Sequence, residues 1–305
     1  MGNILISSVW FSMRRKIINN TWQNIVLYAR VSRIHVLVMP TLLIACAYLY
    51  TRYHYEICSM NSFWFASLSI LLYNLAVNTI SEYRDCERGI DDAHSPGTKY
   101  RLITGIVPRK HILYIGITAF LLASIFGVLS LISRPYTLLF PGIIAAFITL
   151  FYSEQPFGFK YNALAEVCVF IIYSFLIFSA CILSLTRTLC LKDLFFSIPF
   201  GLLTTCVVLA NNIRDYKFEQ GKTTTIPIKY GLKFAYTLLF LMVHLAFLCV
   251  PFFVYFNIMP RSGFIILLAY LFIFLSIKKI NSPAFINCFG LMQTAFSCLN
   301  IVVFL

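Results

Sequence analysis

Residues 63–92, FWFASLSILLYNLAVNTISEYRDCERGIDD, join an apolar run to a segment holding five of the chain's 11 acidic residues. The first part is long enough to cross a bilayer, because about 20 helical residues at 1.5 Å rise each span the hydrocarbon. The second part sets carboxylates beside lipid, which is costly unless something cationic requires them.

Runs of the same apolar kind lie at 34–51, 63–81, 111–132, 135–152, 163–185, 194–213, 232–256, 262–277 and 284–305. Only 11% of the residues are charged and 60% are hydrophobic, whereas a soluble domain is about a quarter charged. The expectation is an all-α polytopic membrane protein with nine transmembrane helices. One domain covers 1–305, with an interfacial lead-in over 1–30 in which Trp10 and Trp22 suit the headgroup region. The opening Met-Gly-Asn begins like an acylation site, but Ser7 stands one position late for that pattern.

Loop charge gives the orientation. Nineteen of the 24 Lys and Arg fall on one side, among them Arg14, Arg15, Arg33, Arg84, Arg88, Arg101, Lys160, Arg214, Lys222 and Lys278. The other side has Arg52, Arg134, Arg187, Lys192 and Arg261. Positive charge collects on the cytoplasmic side, so the N-terminus and the two long polar loops are expected there. The net charge of +13 borders membrane spans instead of forming a free basic helix, so no nucleic-acid partner is expected. Ten scattered cysteines without a C-x-x-C pair read as small core residues rather than metal ligands or disulfides.

Seven acids fall in two segments on that same side. Asn78, Glu82 and Asp85 lie at i, i+4, i+7 and share one helix face, with Asp91 following Gly89 on a loop that can fold back. Asn211, Asp215 and Glu219 repeat the stripe at i, i+4, i+8 after the sixth run. Oxygen ligands without His or Cys favour a hard cation such as Mg²⁺, whose shell is normally completed by substrate phosphates. The plainer alternative is two solvated helix ends whose acids pair with Arg84, Arg88, Arg214 and Lys217.

The two segments, Asn78-x-x-x-Glu82-Tyr83-x-Asp85-x-x-x-Gly89-x-Asp91 and Asn211-Asn212-x-Arg214-Asp215-x-x-x-Glu219-x-Gly221-Lys222-x-Thr224, resemble the aspartate-rich motifs of the UbiA superfamily of intramembrane prenyltransferases. The first is most similar to the 1,4-dihydroxy-2-naphthoate prenyltransferases of menaquinone synthesis (the MenA type). Arg101-Leu-Ile-Thr-Gly105 and residues 152–166, YSEQPFGFKYNALAE, resemble two further family signatures. Ser81 stands where the family usually has Asn, Glu82 and Glu219 where Asp is commoner, and Ala163-Leu-Ala-Glu166 where Gly-Leu-Gly-Glu is usual.

The resemblance implies helices around a central cavity in a bacterial cytoplasmic membrane. It implies Mg²⁺-dependent transfer of a prenyl group from an allylic isoprenyl diphosphate to an aromatic acceptor, 1,4-dihydroxy-2-naphthoate first. Metal ligands are then Glu82, Asp85 and Asp91 with Asp215 and Glu219. Catalytic or diphosphate-binding groups are Asp85, Asp215, Arg101, Lys160, Lys222, Asn78, Asn211, Asn212 and Arg214, though the last could be a surface partner of its neighbouring acid. Arg33, His35 and Tyr152 are candidates for the acceptor pocket, with an interface-anchoring role open for the first two, and Tyr83 and Tyr152 for stabilising a cation by their ring faces. Other acceptors of the superfamily are 4-hydroxybenzoate, homogentisate, a specialised phenol or a glycerol-phosphate lipid. A cation-coupled transporter built on paired halves is the reading from another class.

Overall fold

The computed structural model describes residues 21–91, 105, 107–133, 138–186, 188–279 and 285–305. The lead-in before residue 21 and Arg101 lie outside these residues. Helices follow in the order α1 (Thr21–Val31), α2 (Val38–His54), α3 (Met60–Glu87), α4 (Arg109–Ser130), α5 (Leu139–Phe151), α6 (Ala165–Leu185), α7 (Leu191–Glu219), α8 (Ile226–Tyr230), α9 (Leu232–Tyr255), α10 (Arg261–Lys278) and α11 (Phe285–Phe304). No strand occurs among the described residues; a single bridge joins Asn162 and Thr224.

Eight of these segments are long and apolar enough to cross a membrane, counting the turn Ile34–Leu37 with α2. The expected span at 135–152 contains α5, which has 13 residues. At 1.5 Å per residue α5 is about 20 Å long, short of the hydrocarbon thickness. The long helices do the opposite. α3 has 28 residues and α7 has 29, so each is about 42–43 Å long and overshoots an apolar layer of about 30 Å by some two turns. Those surplus turns carry the acids.

Close crossings fix the position of these two helices. A Cβ on Gly116 of α4 would lie 2.7 Å from Ile80 Cγ1 and Thr79 Oγ1 of α3. Ser69 and Ser62 of α3 donate to the carbonyls of Ala123 and Ser130, each at 2.7 Å, and extend this seam away from the acids. On α7, a Cβ on Gly201 would meet Ser174 Oγ at 1.8 Å. Ser174 sits in the π-helical turn Ile172–Leu176 of α6, and its hydroxyl donates to the Ile198 carbonyl just before Pro199. Small residues allow such approaches in helix bundles.

The main core gathers Tyr50, Phe178, Phe196, Phe200, Phe289 and Phe296, all at most 1% exposed. At the N-terminus of α7, Asp193 is fully buried and accepts from Tyr50 Oη at 2.7 Å, Tyr55 Oη at 2.9 Å and the Cys190 amide at 2.8 Å. That carboxylate caps its helix and ties it to α2 at the end of the bundle away from the two stripes.

Candidate functional site

The surplus turns of α3 present Asn78, Glu82 and Asp85 as one stripe, with Glu82 and Asp85 at 3% and 1% exposure. The helix closes at Gly89, which takes φ 65°. The amides of Ile90 and Asp91 then turn back to the Asp85 carbonyl at 3.0 and 3.4 Å, a glycine-closed helix end. This return buries Asp91 beside Asp85. The last turns of α7 carry Asn211, Asp215 and Glu219, and both acids are buried. Burying five carboxylates demands compensation, because an unpaired buried charge costs several kcal/mol, roughly.

Neighbouring cations supply it to Glu82, Asp85 and Asp215. Lys160, in the loop between α5 and α6, donates from Nζ to the Asp85 carboxylate and to Ser81 Oγ at 2.7 Å. Tyr161 Oη donates to Asp85 Oδ1 at 3.0 Å. Arg33 Nη2 stands 2.6 Å from Glu82 Oε1 as an ion pair. Arg214 holds its neighbour Asp215 by two nitrogens, at 2.5 and 2.6 Å. Burial acts to lower the Arg33 pKa, but Glu82, Asp85, Asp91 and Asp215 outweigh it and hold the guanidinium above its usual range. One cation therefore sits in the field of both stripes.

The loops close the same gap. Lys222 Nζ donates to the Ile90 carbonyl at 3.0 Å. The Ala163 amide donates to Thr224 O at 2.7 Å, beside the parallel bridge of Asn162 and Thr224. Asn212 Nδ2 donates to Glu166 Oε1 at 2.7 Å. The structure thus brings together both acidic stripes, Arg33, Lys160, Lys222 and Asn212.

Other expected groups point elsewhere. Asn78 donates to Asn74 O at 2.7 Å and Asn211 to Val207 O at 3.0 Å, so both amides are turned onto their own helices. Tyr83 donates to Glu87 Oε1 at 3.3 Å rather than facing the buried acids. His35 is exposed on the turn after Arg33. Tyr152 packs against the cluster of Ile148, Cys168 and Leu176. Two apolar recesses are formed, one lined by Ile25, Tyr28, Ile34 and Leu75, the other by Phe240, His244 and Tyr270.

Tyr161, Ser81 and Glu166 complete the polar wall without having been assigned roles from the sequence, and Arg88, read there only as a partner of the acids in the plainer alternative, joins them. Arg88 stacks 4.2 Å over the Tyr161 ring and donates to Ser153 O at 3.1 Å. Only the adjacency of Tyr161 to Lys160 could have suggested its part. Burial, followed by the charge of Asp85, pushes the Tyr161 hydroxyl well above the usual tyrosine range.

Among the described residues no three His, Cys, Asp or Glu side chains converge closely enough to hold a metal alone. The donors facing the gap are carboxylate oxygens, those of Glu82, Asp85 and Asp215 already matched to Arg or Lys, a composition suited to a ligand that brings both anionic oxygens and a hard cation.

Residues 30–293 match the model of the UbiA prenyltransferase family. This chain belongs to that family. A 1,4-dihydroxy-2-naphthoate octaprenyltransferase of Bacillus subtilis (strain 168) is 30% identical over 179 residues, 56% of this chain and 55% of its own length. UbiA prenyltransferase domain-containing protein 1 of Gallus gallus is 24% identical over 190 residues, 60% of this chain and 55% of its own. The chain thus spans about half the length of the curated relatives it matches. Among solved structures, a UbiA homologue from Archaeoglobus fulgidus bound to GPP and Mg²⁺ aligns with a TM-score of 0.64 at 17% identity, covering 91% of this chain and 99% of that one. An apo UbiA homologue from Aeropyrum pernix K1 gives 0.65 at 14% identity, covering 88% and 98%. The fold of this chain is that of the UbiA family.

Proposed function

We propose that this chain transfers a prenyl group from an allylic isoprenyl diphosphate to an aromatic acceptor, 1,4-dihydroxy-2-naphthoate, at the Lys- and Arg-rich face that we orient to the cytoplasm. The observation that carries the reading is the pair of buried acidic stripes on α3 and α7, joined through Arg33 and Lys222. The name of the Bacillus subtilis relative supports the acceptor. Clustering of the acids at one end of the bundle argues against a transport path, which needs a site open to both faces.

Glu82, Asp85 and Asp91 on one side and Asp215 and Glu219 on the other would hold Mg²⁺ with the diphosphate, and the ion would supply neutralisation of the departing charge. The protein's cations act in the same sense. Lys160 and Lys222, with Arg101 and Arg214, bind diphosphate oxygens, and they stabilise the charge most where it develops on leaving. Asn78 and Asn211 offer amide donors after a change of rotamer, and Asn212 offers its second amide hydrogen while the first holds Glu166. Tyr161 and Ser81 hold Asp85 and Lys160 in place. Arg33 offers its guanidinium to the acceptor carboxylate, for which it can make two parallel hydrogen bonds, and His35 and Tyr152 would have to turn toward it to take part. Loss of the diphosphate leaves an allylic cation that the electron-rich ring attacks, and loss of a proton or of carbon dioxide restores aromaticity.

The test is product identification. Purified chain with Mg²⁺, geranyl diphosphate and separate acceptors should yield a prenylated naphthalene product by mass spectrometry. Product with 4-hydroxybenzoate or homogentisate alone would move the acceptor, and no product with any acceptor would overturn the reading.

A further inference from the structure

Glu166 is a buried carboxylate, 3% exposed, in the first turn of α6. Its Oε1 accepts from Asn212, one residue past Asn211 in the stripe of α7. Its Oε2 is buried without a hydrogen-bond partner. No Lys or Arg neutralises it among the described ion pairs. It differs in this from Glu82, Asp85 and Asp215, each of which faces a cation. Such an atom is costly to bury, so its retention asks for a ligand that satisfies it.

Asn212, beside the acidic stripe of α7, fixes the orientation of Glu166 and ties it to that wall of the chamber. A cation site is served by the acids on α3 and α7, so an unpaired carboxylate set apart from them suits a donor hydroxyl.

We propose that Glu166 is a further catalytic residue, the base that accepts the hydroxyl proton of the aromatic acceptor; this rests on the prenyl-transfer reading above. Oε2 takes the proton as the oxygen's electrons enter the ring. A ring carbon forms the bond to the allylic carbon, whose bond to oxygen breaks with its electron pair on the diphosphate. When that ring carbon loses carbon dioxide, or a proton to the departed diphosphate, electrons return to the oxygen, which recovers the proton from Glu166. The carboxylate ends as it began.

Glu166→Gln keeps the size and the acceptor oxygen for Asn212 while removing the base. With geranyl diphosphate, Mg²⁺ and 1,4-dihydroxy-2-naphthoate, kcat should fall by about 100-fold or more, the usual scale of general-base catalysis. The KM for geranyl diphosphate and the thermal shift it induces with Mg²⁺ should be unchanged. The loss should shrink for a ring-fluorinated acceptor whose hydroxyl is more acidic. An unchanged kcat, or the same loss on both acceptors, overturns the role of Glu166 while leaving prenyl transfer standing. A wild-type chain silent with every acceptor removes both. Should Glu166→Gln fail to survive solubilisation, Glu166→Asp is measured on both acceptors: a lowered kcat with greater sensitivity to acceptor acidity is expected, and wild-type sensitivity overturns the proposal.

Discussion

Lys222, just past the end of α7, donates from Nζ to the carbonyl of Ile90, in the turn that closes α3, at 3.0 Å. The two residues are 132 positions apart. Their contact, with the bridge of Asn162 and Thr224, makes the ends of two distant helices the walls of one chamber.

If both walls hold one diphosphate, removing either ligand set already loses most of the transition-state stabilisation. Glu82→Gln and Glu219→Gln should each lower kcat/KM by about 10²-fold, and the double variant by little more, as for residues that work as a unit. Partial rescue of the single variants at high Mg²⁺ is expected. Multiplicative losses across a Mg²⁺ titration would mean two independent clusters.

The pairing of Lys160 with Asp85 is a stability matter as well as a catalytic one. Asp85 is 1% exposed, so Lys160→Met strands its charge, and breaking a buried pair from one side costs about 3–5 kcal/mol. Adding Asp85→Asn to Lys160→Met should recover part of that stability without recovering turnover. Thermal melts of the three variants in detergent check the coupling. A double variant less stable than Lys160→Met would contradict the pairing.

Much of this was legible before any coordinates. Helix periodicity predicted that Glu82 and Asp85, and Asp215 and Glu219, share faces, and a stripe survives whenever the helix continues through it, as α3 and α7 do to Glu87 and Glu219. The folding back of Asp91 followed from Gly89. What sequence could not supply was long-range partnership. Nothing local indicates that Arg33 meets Glu82 or that Tyr161 meets Asp85, because those contacts depend on how helices are arranged around the chamber. The amides of Asn78 and Asn211 illustrate the converse: spacing placed them on the right face, yet each satisfies a carbonyl one turn back on its own helix.

Tyr161→Phe deletes one hydrogen bond to Asp85 and leaves Lys160 in place. The hydroxyl is held above the usual tyrosine range by burial and by Asp85, so it stays a donor throughout the neutral range. A fall in kcat of about 10-fold, equivalent to 1.4 kcal/mol, should therefore be the same from pH 6 to about pH 9. The raised pKa also has a stability sign. Above about pH 10 the unfolded chain releases a proton that folded Tyr161 keeps, so stability falls as pH rises past the ordinary tyrosine value. The slope of that alkaline fall should be smaller in Tyr161→Phe; an equal slope would show that the hydroxyl is not shielded.

Asp193 tests the opposite case, a buried acid with no place in the chemistry. It accepts from Tyr50, Tyr55 and the Cys190 amide, so Asp193→Ala leaves two phenolic hydroxyls and a helix-terminal amide without their acceptor. Each orphaned buried group costs about 1–3 kcal/mol, and loss of the cap adds about 1 kcal/mol. The variant should melt markedly lower than wild type, while the KM for prenyl diphosphate, its Mg²⁺ dependence and kcat below the melting range stay near wild type. Asp193→Asn, which keeps an acceptor oxygen for part of the set, should fall between the two. A collapse of kcat in a folded Asp193→Asn protein would refute the division drawn here, in which the acids on α3 and the C-terminal turns of α7 serve the reaction and the acid at the N-terminus of α7 holds the helix to α2.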